Sequence, residues 1–192
     1  MHHSERTLCV QLADEAATQR LGAQLAKRVA SGMRVYLSGP LGAGKTTLVR
    51  ALLHGLGHVG RVKSPSYALV EPYIISSLYL YHFDFYRFRD PNEWHDSGFR
   101  ELFASPAICL VEWPDKAHGL LPEPDLAIDI TPSDIAPSHI TPSHITPGVI
   151  TPGNITPDDV APHHQGRRAV LTAGSPLGEQ CVSALRSLGE FF

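Results

Sequence analysis

Residues 39–46 of the chain read Gly39-Pro40-Leu41-Gly42-Ala43-Gly44-Lys45-Thr46, and this stretch decides the fold. It matches the pattern G-x-x-x-x-G-K-[ST], whose glycines let the backbone wrap around phosphate groups so that successive N–H groups point at the oxygens. Lys45 then places a positive charge near the β- and γ-phosphates of a nucleotide, and the Thr46 hydroxyl ligates Mg²⁺. An apolar run over 34–38 precedes the stretch and a leucine-rich segment over 45–56 follows it. The stretch therefore predicts a nucleotide-binding loop between a strand and a helix.

Strand-like and helix-like segments alternate on both sides of this loop. Apolar residues recur at helical spacing over 14–30, 45–56, 91–103 and 175–188. Apolar, aromatic or β-branched runs predict strands over 34–38, 67–70, 78–85, 107–111, 126–130 and 169–172. This alternation predicts an α/β fold, a three-layer P-loop NTPase-like sheet with parallel central strands and helices on both faces. At 192 residues we expect a single P-loop ATPase domain that spans 1–192.

A proline-rich pentapeptide repeat interrupts this alternation. Residues 130–162 read ITPSD IAPSH ITPSH ITPGV ITPGN ITPDD VAP and contain seven of the 16 prolines. Proline lacks an amide donor and has a fixed φ, so neither a helix nor a central strand is expected to continue through it at every fifth position. We predict that 130–162 is a low-complexity insertion in a surface loop, extended and mostly disordered, at the turn of what would otherwise be a β-hairpin. Metal binding by His139 and His144 and docking of a partner protein are the alternatives to a solvated insertion.

The composition limits the classes of protein to consider. The formal net charge is -3, with 16 Lys+Arg against 19 Asp+Glu, which argues against a protein that holds nucleic acid by charge alone. No apolar run approaches the ~20 residues that cross a bilayer, and the first residues lack the apolar region of a signal peptide. The three cysteines are widely spaced and form no CxxC motif, which favours a reducing compartment. We therefore expect a cytoplasmic protein without membrane association.

Two carboxylates follow predicted strands. Glu112 comes directly after a continuous apolar run, and Asp84 ends another predicted strand among aromatic residues. The carboxyl ends of parallel strands lie at the edge of the sheet that also carries the phosphate loop. Glu112 can hold the metal or its water there, and Asp84 can orient the attacking water or share the metal. The alternatives are an ordinary strand-end acid for Glu112 and an ion pair of Asp84 with Arg87, while His82 is interpreted as a packed strand residue rather than a base.

Motifs beyond the phosphate loop occur in a fixed order along the chain. They are 39–47 (GPLGAGKTT), 62–73 (VKSPSYALVEPY), 81–87 (YHFDFYR), 107–114 (AICLVEWP), 121–125 (LPEPD) and 166–167 (GR). These motifs are distributed over residues 39–167, on both sides of the repeat. In this order they resemble the TsaE family, small bacterial P-loop ATPases of tRNA threonylcarbamoyladenosine biosynthesis.

The resemblance implies a role for each residue of the candidate site. Nucleotide binding is implied for a set of residues, namely Glu15, Gly42, Ala43, Gly44, Lys45, Thr46, Thr47 and Arg167. Thr46 and Glu112 are implied to bind Mg²⁺, and Lys45 and Asp84 to be catalytic, with Asp84 positioning water. Segment 64–67 is implied to be a switch-like loop, and Trp113 to lie beside the site. Ser66 departs from the family, which usually has Thr there, but the hydroxyl is retained.

The resemblance also implies the function. It implies an accessory ATP-binding and ATP-hydrolysing protein that is required for threonylcarbamoyladenosine modification of tRNA. The implied cofactors are ATP and Mg²⁺, and the implied partner is a complex of TsaD and TsaB, with tRNA involved only indirectly. The ATPase activity is expected to be weak alone and to be activated by these partners. Since the chain has no NKxD-type sequence, ATP rather than a guanine nucleotide is expected. The alternatives are a small-molecule kinase with Asp84 as the base and a nucleotide-gated binding module without turnover.

Overall fold

The computed structural model describes residues 6–133 and 166–189, whose strands form one sheet. The strands are β1 (Thr7–Leu12), β2 (Arg34–Ser38), β3 (Val70–Ile75), β4 (Leu78–Asp84), β5 (Ile108–Glu112), β6 (Leu126–Ser133) and β7 (Gly166–Ala173). The helices are α1 (Glu15–Ala26), α2 (Lys45–Gly55), α3 (Pro91–Asp96), α4 (Phe99–Ala104) and α5 (Pro176–Arg186), with a short 3₁₀ helix at Pro114–Ala117.

The centre of the sheet is parallel and its edges are antiparallel. Across the sheet the strands follow the order β1-β7-β6-β2-β5-β4-β3. Strands β6, β2, β5 and β4 run parallel to one another, whereas β7 and β1 on one side and β3 on the other pair antiparallel. The predicted sheet with parallel central strands is confirmed. As in other parallel sheets, the carboxyl ends of these strands meet at one edge.

Both faces of the sheet are covered by helices. On one face α1, α2 and α5 bury apolar side chains against the sheet, among them Leu21, Leu48 and Val182. On the other face, α3 and α4 contribute Trp94 and Phe99 to a largely aromatic cluster. The three predicted layers are therefore present. Over residues 6–133 and 166–189, no helix combines the length and apolar character needed to cross a membrane.

Three elements differ from the prediction. Strand β1 was not predicted, although alternation places Val10 and Leu12 in the core and leaves Gln11 exposed. The predicted strand over 67–70 is wrong, because the chain turns there and the strand begins only at Val70. A hydrogen bond from the Leu69 N–H to the Pro65 carbonyl closes that turn at 2.7 Å. The single helix predicted over 91–103 is two short helices, because Gly98 adopts a left-handed conformation with φ 66°.

The repeat begins inside the sheet rather than in a loop. Residues 130–133 belong to β6 and pair with β7 as far as Gly166, and the Ile130 side chain is fully buried. Pro132 fits this strand because β2 pairs with β6 only as far as Asp129, so the last part of β6 has a neighbour on one side only. The predicted boundary at residue 130 is therefore wrong by four residues. The rest of the repeat, with its predicted disorder, lies outside the described residues, and the single domain over 1–192 stays a prediction.

Candidate functional site

The candidate site lies where β2, β4 and β5 end. The loop after β2 borders a cavity of about 510 Å³, together with residues that end β4 and β5. Among the predicted site residues, seven line this cavity, namely Gly42, Gly44, Lys45, Thr46, Thr47, Asp84 and Glu112. Parallel pairing of β4 with β5 sets Asp84 directly opposite Glu112 and thus brings both carboxylates to the same edge.

The glycines of the loop adopt backbone conformations that other residues avoid. Gly39, Gly42 and Gly44 have φ values of 129°, 78° and 105°. At Gly39 the backbone also passes so close to the Ile130 carbonyl that a Cβ atom would collide with it. Gly44 is the N-cap of α2, and within the described part of the chain no side chain caps this end. Residues 45–47 form the first turn of α2 and line the cavity, so their uncapped N–H groups lie where an anion can bind.

Lys45 is held inside the loop that precedes it. Its side chain is almost fully buried, and Nζ donates to the carbonyl oxygens of Gly39 at 2.8 Å and Pro40 at 2.9 Å. The ammonium group also lies 3.9 Å from the centre of the Trp113 ring. Burial lowers the pKa of Lys45 below its ordinary value, while the carboxylates of Glu112 and Asp84 act in the opposite direction. The site thus contains a desolvated cation at the end of the phosphate loop.

A hydrogen-bonded chain joins the loop to β5 and β4. Thr46 Oγ1 donates to Glu112 and lies 2.8 Å from Oε1 and 3.0 Å from Oε2. His82 Nε2 is 2.9 Å from the same Oε1, and the His82 side chain is fully buried. Among the described residues the other ring nitrogen, Nδ1, has no hydrogen-bond partner, which favours the tautomer in which Nε2 carries the proton and donates to Glu112. Glu112 is therefore oriented from two sides.

Asp84 is held by a different set of groups. One carboxylate oxygen accepts from the Ser64 hydroxyl, and the other accepts from the Tyr86 N–H at 2.9 Å. Over the described residues no ion pair joins Asp84 to Arg87. The guanidinium of Arg87 instead lies 4.4 Å from the centre of the Tyr67 ring. The structure thus does not support the ion-pair interpretation of Asp84.

Three predicted nucleotide contacts lie outside the cavity lining. Ala43, within the loop, is buried. Arg167 on β7 and Thr18 on α1 lie beside Gly44, since a Cβ there would lie 3.6 Å from the Arg167 Nε and 3.8 Å from the Thr18 Cγ2. Glu15 is exposed in the first turn of α1, and its carboxylate accepts a hydrogen bond from Gln19. The roles of Glu15 and Arg167 remain predictions.

Two residues of the site were not assigned a role by sequence reasoning. His82 was interpreted as a packed strand residue, and it is buried, but it also contacts Glu112. The alternation of β4 could have indicated this contact, because His82 and Asp84 are two residues apart and so share a face of the sheet. Thr18 reaches Gly44 only through the packing of α1 against α2, for which the sequence carries no local signal.

The oxygen groups of the site suit a small divalent cation. Thr46 and Glu112 offer a hydroxyl and a carboxylate, the hard oxygen ligands that Mg²⁺ prefers. Within the described residues, no group of three or more His, Cys, Asp and Glu side chains could hold a metal ion. An ion bound here would thus need further ligands from phosphate and water, which is how Mg²⁺ is usually held in nucleotide sites.

Comparisons with known proteins agree on one family. The family profile "Threonylcarbamoyl adenosine biosynthesis protein TsaE" matches residues 12–139. The chain is 47% identical over 122 residues to the tRNA threonylcarbamoyladenosine biosynthesis protein TsaE of Haemophilus influenzae. The aligned region covers 61% of this chain and 77% of that relative. It is 40% identical over 114 residues to the protein of the same name from Bacillus subtilis, and this aligned region covers 59% of this chain and 69% of that relative.

The fold is similar to that of a solved structure. The crystal structure of YdiB from Bacillus subtilis superimposes with a TM-score of 0.66 and 24% sequence identity. The superposition covers 95% of each chain. At this identity the similarity supports the fold alone.

Proposed function

The chain belongs to the TsaE family, and on this premise we propose that it is an accessory ATP-binding and ATP-hydrolysing protein of tRNA threonylcarbamoyladenosine biosynthesis. The observation that carries the proposal is the 2.8 Å hydrogen bond from Thr46 to Glu112 beside the phosphate loop. It joins the two oxygen groups that hold the magnesium ion of a nucleotide in P-loop proteins. ATP and Mg²⁺ are the proposed cofactors.

Different residues of the site have different proposed roles in nucleotide binding and hydrolysis. The first N–H groups of α2 bind phosphate oxygens, and Lys45 adds its charge when it exchanges the Gly39 and Pro40 carbonyl oxygens for phosphate. Thr46 and Glu112 hold Mg²⁺, which neutralises charge on the phosphates. Asp84 orients the attacking water, and its own orientation is set by the Ser64 hydroxyl and the Tyr86 N–H.

A complex of TsaB and TsaD is the proposed partner. Leu41 and Tyr67 are large apolar residues in or beside the loops of the cavity, and they are 74% and 84% exposed. Exposed apolar residues that cluster at a site are typical of surfaces that bind another protein. The net charge of -3 also favours a protein partner over direct binding of tRNA. We therefore propose that hydrolysis is weak in the isolated chain and faster with the partner complex.

The experiment compares two carboxylate variants in the presence of TsaB and TsaD. Glu112→Gln loses a metal ligand, so we expect nucleotide binding to require a higher Mg²⁺ concentration. Asp84→Asn keeps the metal ligands but accepts a proton poorly, so we expect near-normal ATP affinity and a loss of hydrolysis of about 100-fold. The measurements are calorimetric titration of a hydrolysis-resistant ATP analogue and release of inorganic phosphate.

Asp115→Asn is the matched control, because Asp115 is exposed in the neighbouring 3₁₀ helix. Wild-type hydrolysis in Asp84→Asn would refute the role of Asp84. Release of phosphate without any added acceptor separates hydrolysis from the transfer reaction of a small-molecule kinase. If a single round of ATP is not hydrolysed even with partners, the chain is a nucleotide-gated binding module instead.

A further inference from the structure

The charges that line the cavity leave the phosphates of a nucleotide incompletely balanced. Asp84 and Glu112 add negative charge to the lining, and Lys45 offers one cation against it. The phosphates of ATP carry more negative charge than one Mg²⁺ ion neutralises. A buried or partly buried site with this excess needs a further cation, and among the described residues that line the cavity Arg87 is the cation besides Lys45.

Arg87 carries a guanidinium that has no carboxylate partner over 6–133 and 166–189. It lies against the Tyr67 ring, at 4.4 Å from the ring centre, and Tyr67 is 84% exposed. A cation–π contact at such an exposed position contributes only ~0.5–1 kcal/mol. A guanidinium has five N–H donors, and over the described residues no hydrogen bond or ion pair of this group is seen besides the contact with Tyr67. The group is therefore held loosely and in a form that can bind phosphate.

The backbone that carries Arg87 is anchored much more firmly than its side chain. Phe85 and Phe88 are buried in the aromatic cluster on either side of it, and the Phe88 N–H donates to the Phe85 carbonyl at 3.0 Å. The Phe85 N–H in turn donates to the Glu112 carbonyl at 3.0 Å, which ties this turn to the end of β5. An exposed cation on a firmly anchored backbone is well placed to recognise a charged ligand.

The neighbours of Arg87 indicate which end of the phosphate chain this residue can bind. Its chain neighbour Tyr86 contacts Trp113 with 5.1 Å between ring centres, and Trp113 in turn covers the Lys45 ammonium. Arg167, by contrast, lies beside Gly44 at the start of α2 and does not line the cavity. The lysine of a phosphate loop reaches the β- and γ-phosphates. Arg87 thus lies at the γ-phosphate end, on the wall that also carries Asp84.

We propose that Arg87 binds the γ-phosphate of ATP, leaves the Tyr67 ring when it does so, and thereby sets the preference of the site for ATP over ADP. The inference rests on the proposed nucleotide-binding function and adds a residue that discriminates between the two nucleotides. ADP lacks the group that Arg87 contacts, so the side chain stays on Tyr67 when ADP is bound.

The test measures affinities of the full-length chain for AMP-PNP and for ADP, each with Mg²⁺, by isothermal titration calorimetry. For Arg87→Ala we expect AMP-PNP affinity to fall by about 10- to 100-fold, the range for a hydrogen bond to a charged group, and ADP affinity to change less than threefold. Arg87→Lys restores part of the loss, because it returns the charge without the planar donor edge. Arg89→Ala is the matched control, since Arg89 is an exposed arginine two residues away that does not line the cavity.

An unchanged ratio of AMP-PNP to ADP affinity in Arg87→Ala would overturn the proposal. Equal loss of both affinities in Arg87→Ala would also overturn it, because that result indicates a general effect on the site. Failure of the proposed nucleotide binding, on which this inference rests, looks different, since the wild-type chain would then bind neither nucleotide. Melting temperatures of all variants, measured without nucleotide, are expected to agree within a few degrees because Arg87 is exposed.

Discussion

Lys45 illustrates how a single residue can serve binding at the expense of stability. Its ammonium group is buried between two carbonyl oxygens and the Trp113 ring, and burial lowers its pKa. A charge that is desolvated in the absence of ligand is ready to be stabilised by an anion. The residue therefore contributes to nucleotide binding more than to folding.

We expect Lys45→Met to lose nucleotide affinity by about 100-fold while the melting temperature stays within a few degrees of wild type. Methionine fills the space of the lysine stem without a buried charge, so the loss of two hydrogen bonds is offset by the removal of the desolvation cost. Titration calorimetry measures the nucleotide affinity of Lys45→Met, and thermal melting measures its stability. Lys27→Met, at an exposed position after α1, should change neither; unaltered ATP binding in Lys45→Met would contradict the assignment of the phosphate loop.

Asp125 is a second charged residue with a defined partner, at the opposite end of β2. Its Oδ2 accepts from the Arg34 N–H at 2.8 Å and from the Arg34 Nε at 3.3 Å. Burial alone would raise the pKa of Asp125, but hydrogen bonds from Ser175 and Arg34 and the charge of Arg34 outweigh it and hold the pKa below its ordinary value. A carboxyl of this kind contributes stability above its unfolded pKa of ~3.9, and this stability is lost as the pH falls through the lower folded pKa.

We therefore expect Asp125→Asn to lower the free energy of unfolding at pH 7 by about 1–3 kcal/mol. The difference from wild type should shrink when the pH is lowered from 5 to 3 (about one unit either side of the ~3.9 reference), because the unfolded chain then takes up a proton at Asp125 before the folded chain, whose carboxyl has a lower pKa, does so. Urea unfolding of wild type and Asp125→Asn at each pH measures this difference in the free energy of unfolding. Asp129→Asn, an exposed position on β6, provides the comparison. A difference that stays constant across this range would show that the charge of Asp125 does not matter.

Among the elements, the packing of α1 on α2 shapes one side of the site. Gly22 lies where α1 crosses α2, and a Cβ there would collide with Ala51 and with the Leu48 carbonyl. This close approach brings Thr18 beside Gly44 and so sets the start of α1 next to the phosphate loop. A helix pair with a larger residue at this position would have to separate.

The β6–β7 hairpin connects the site to the repeat. The two strands pair from Leu126 with Ala173 to the last pair, Ser133 with Gly166, so the ends of the intervening segment are already neighbours. A short turn can therefore join them without changing the register. The hairpin also carries Ile130, whose carbonyl contacts Gly39, and Arg167 beside Gly44.

We expect replacement of residues 134–165 by Asn-Gly to leave nucleotide affinity unchanged and to raise the free energy of unfolding by about 2 kcal/mol, since a shorter loop loses less entropy on closure. Titration calorimetry and urea unfolding of the deletion variant check this. A variant that keeps 134–165 but carries the order of the pentapeptides reversed is the control. Loss of folding or of nucleotide binding in the deletion variant alone would show that the removed segment packs on the domain.

On the scale of the whole molecule, the sheet separates two apolar clusters that must fold together. Cys181 lies in the cluster of α1, α2 and α5, and Cys109 lies in the aromatic cluster on the other face. Both are buried, and burial raises the pKa of Cys109 to about 12 and that of Cys181 to about 11. Cys9, on β1, is exposed.

We expect one fast reaction of the native chain with a thiol reagent at pH 8, at Cys9, because the two buried thiols are both protonated and covered at this pH. Cys109 and Cys181 should react later and at one common rate, since a single sheet whose two faces unfold together exposes both at once. Mass spectrometry of peptides over time distinguishes the three sites. Clearly different rates for Cys109 and Cys181 would show that the two layers open separately.

Local patterns in the sequence were sufficient for most elements. The phosphate loop, β2 and α2 could be predicted because their spacing follows from the conformation of a few adjacent residues. The segment over 67–70 was predicted as a strand from its composition, but Leu69 has a positive φ of 64° and the turn before it depends on a contact with Pro65. Strand β6 was predicted too short because its last residues are held by β7 rather than by their own propensity.

The sequence by itself determined the α/β class, the phosphate loop, the candidate acids Asp84 and Glu112, and the family, since each depends on residue types at short spacing. The tertiary structure alone decided the strand order, the position of Arg87 on Tyr67, and the approach of Arg167 to Gly44. The hydrogen bond from Thr46 to Glu112 joins residues 66 positions apart. Such contacts depend on which strands become neighbours, and that is settled by the burial of the whole sheet rather than by any local pattern.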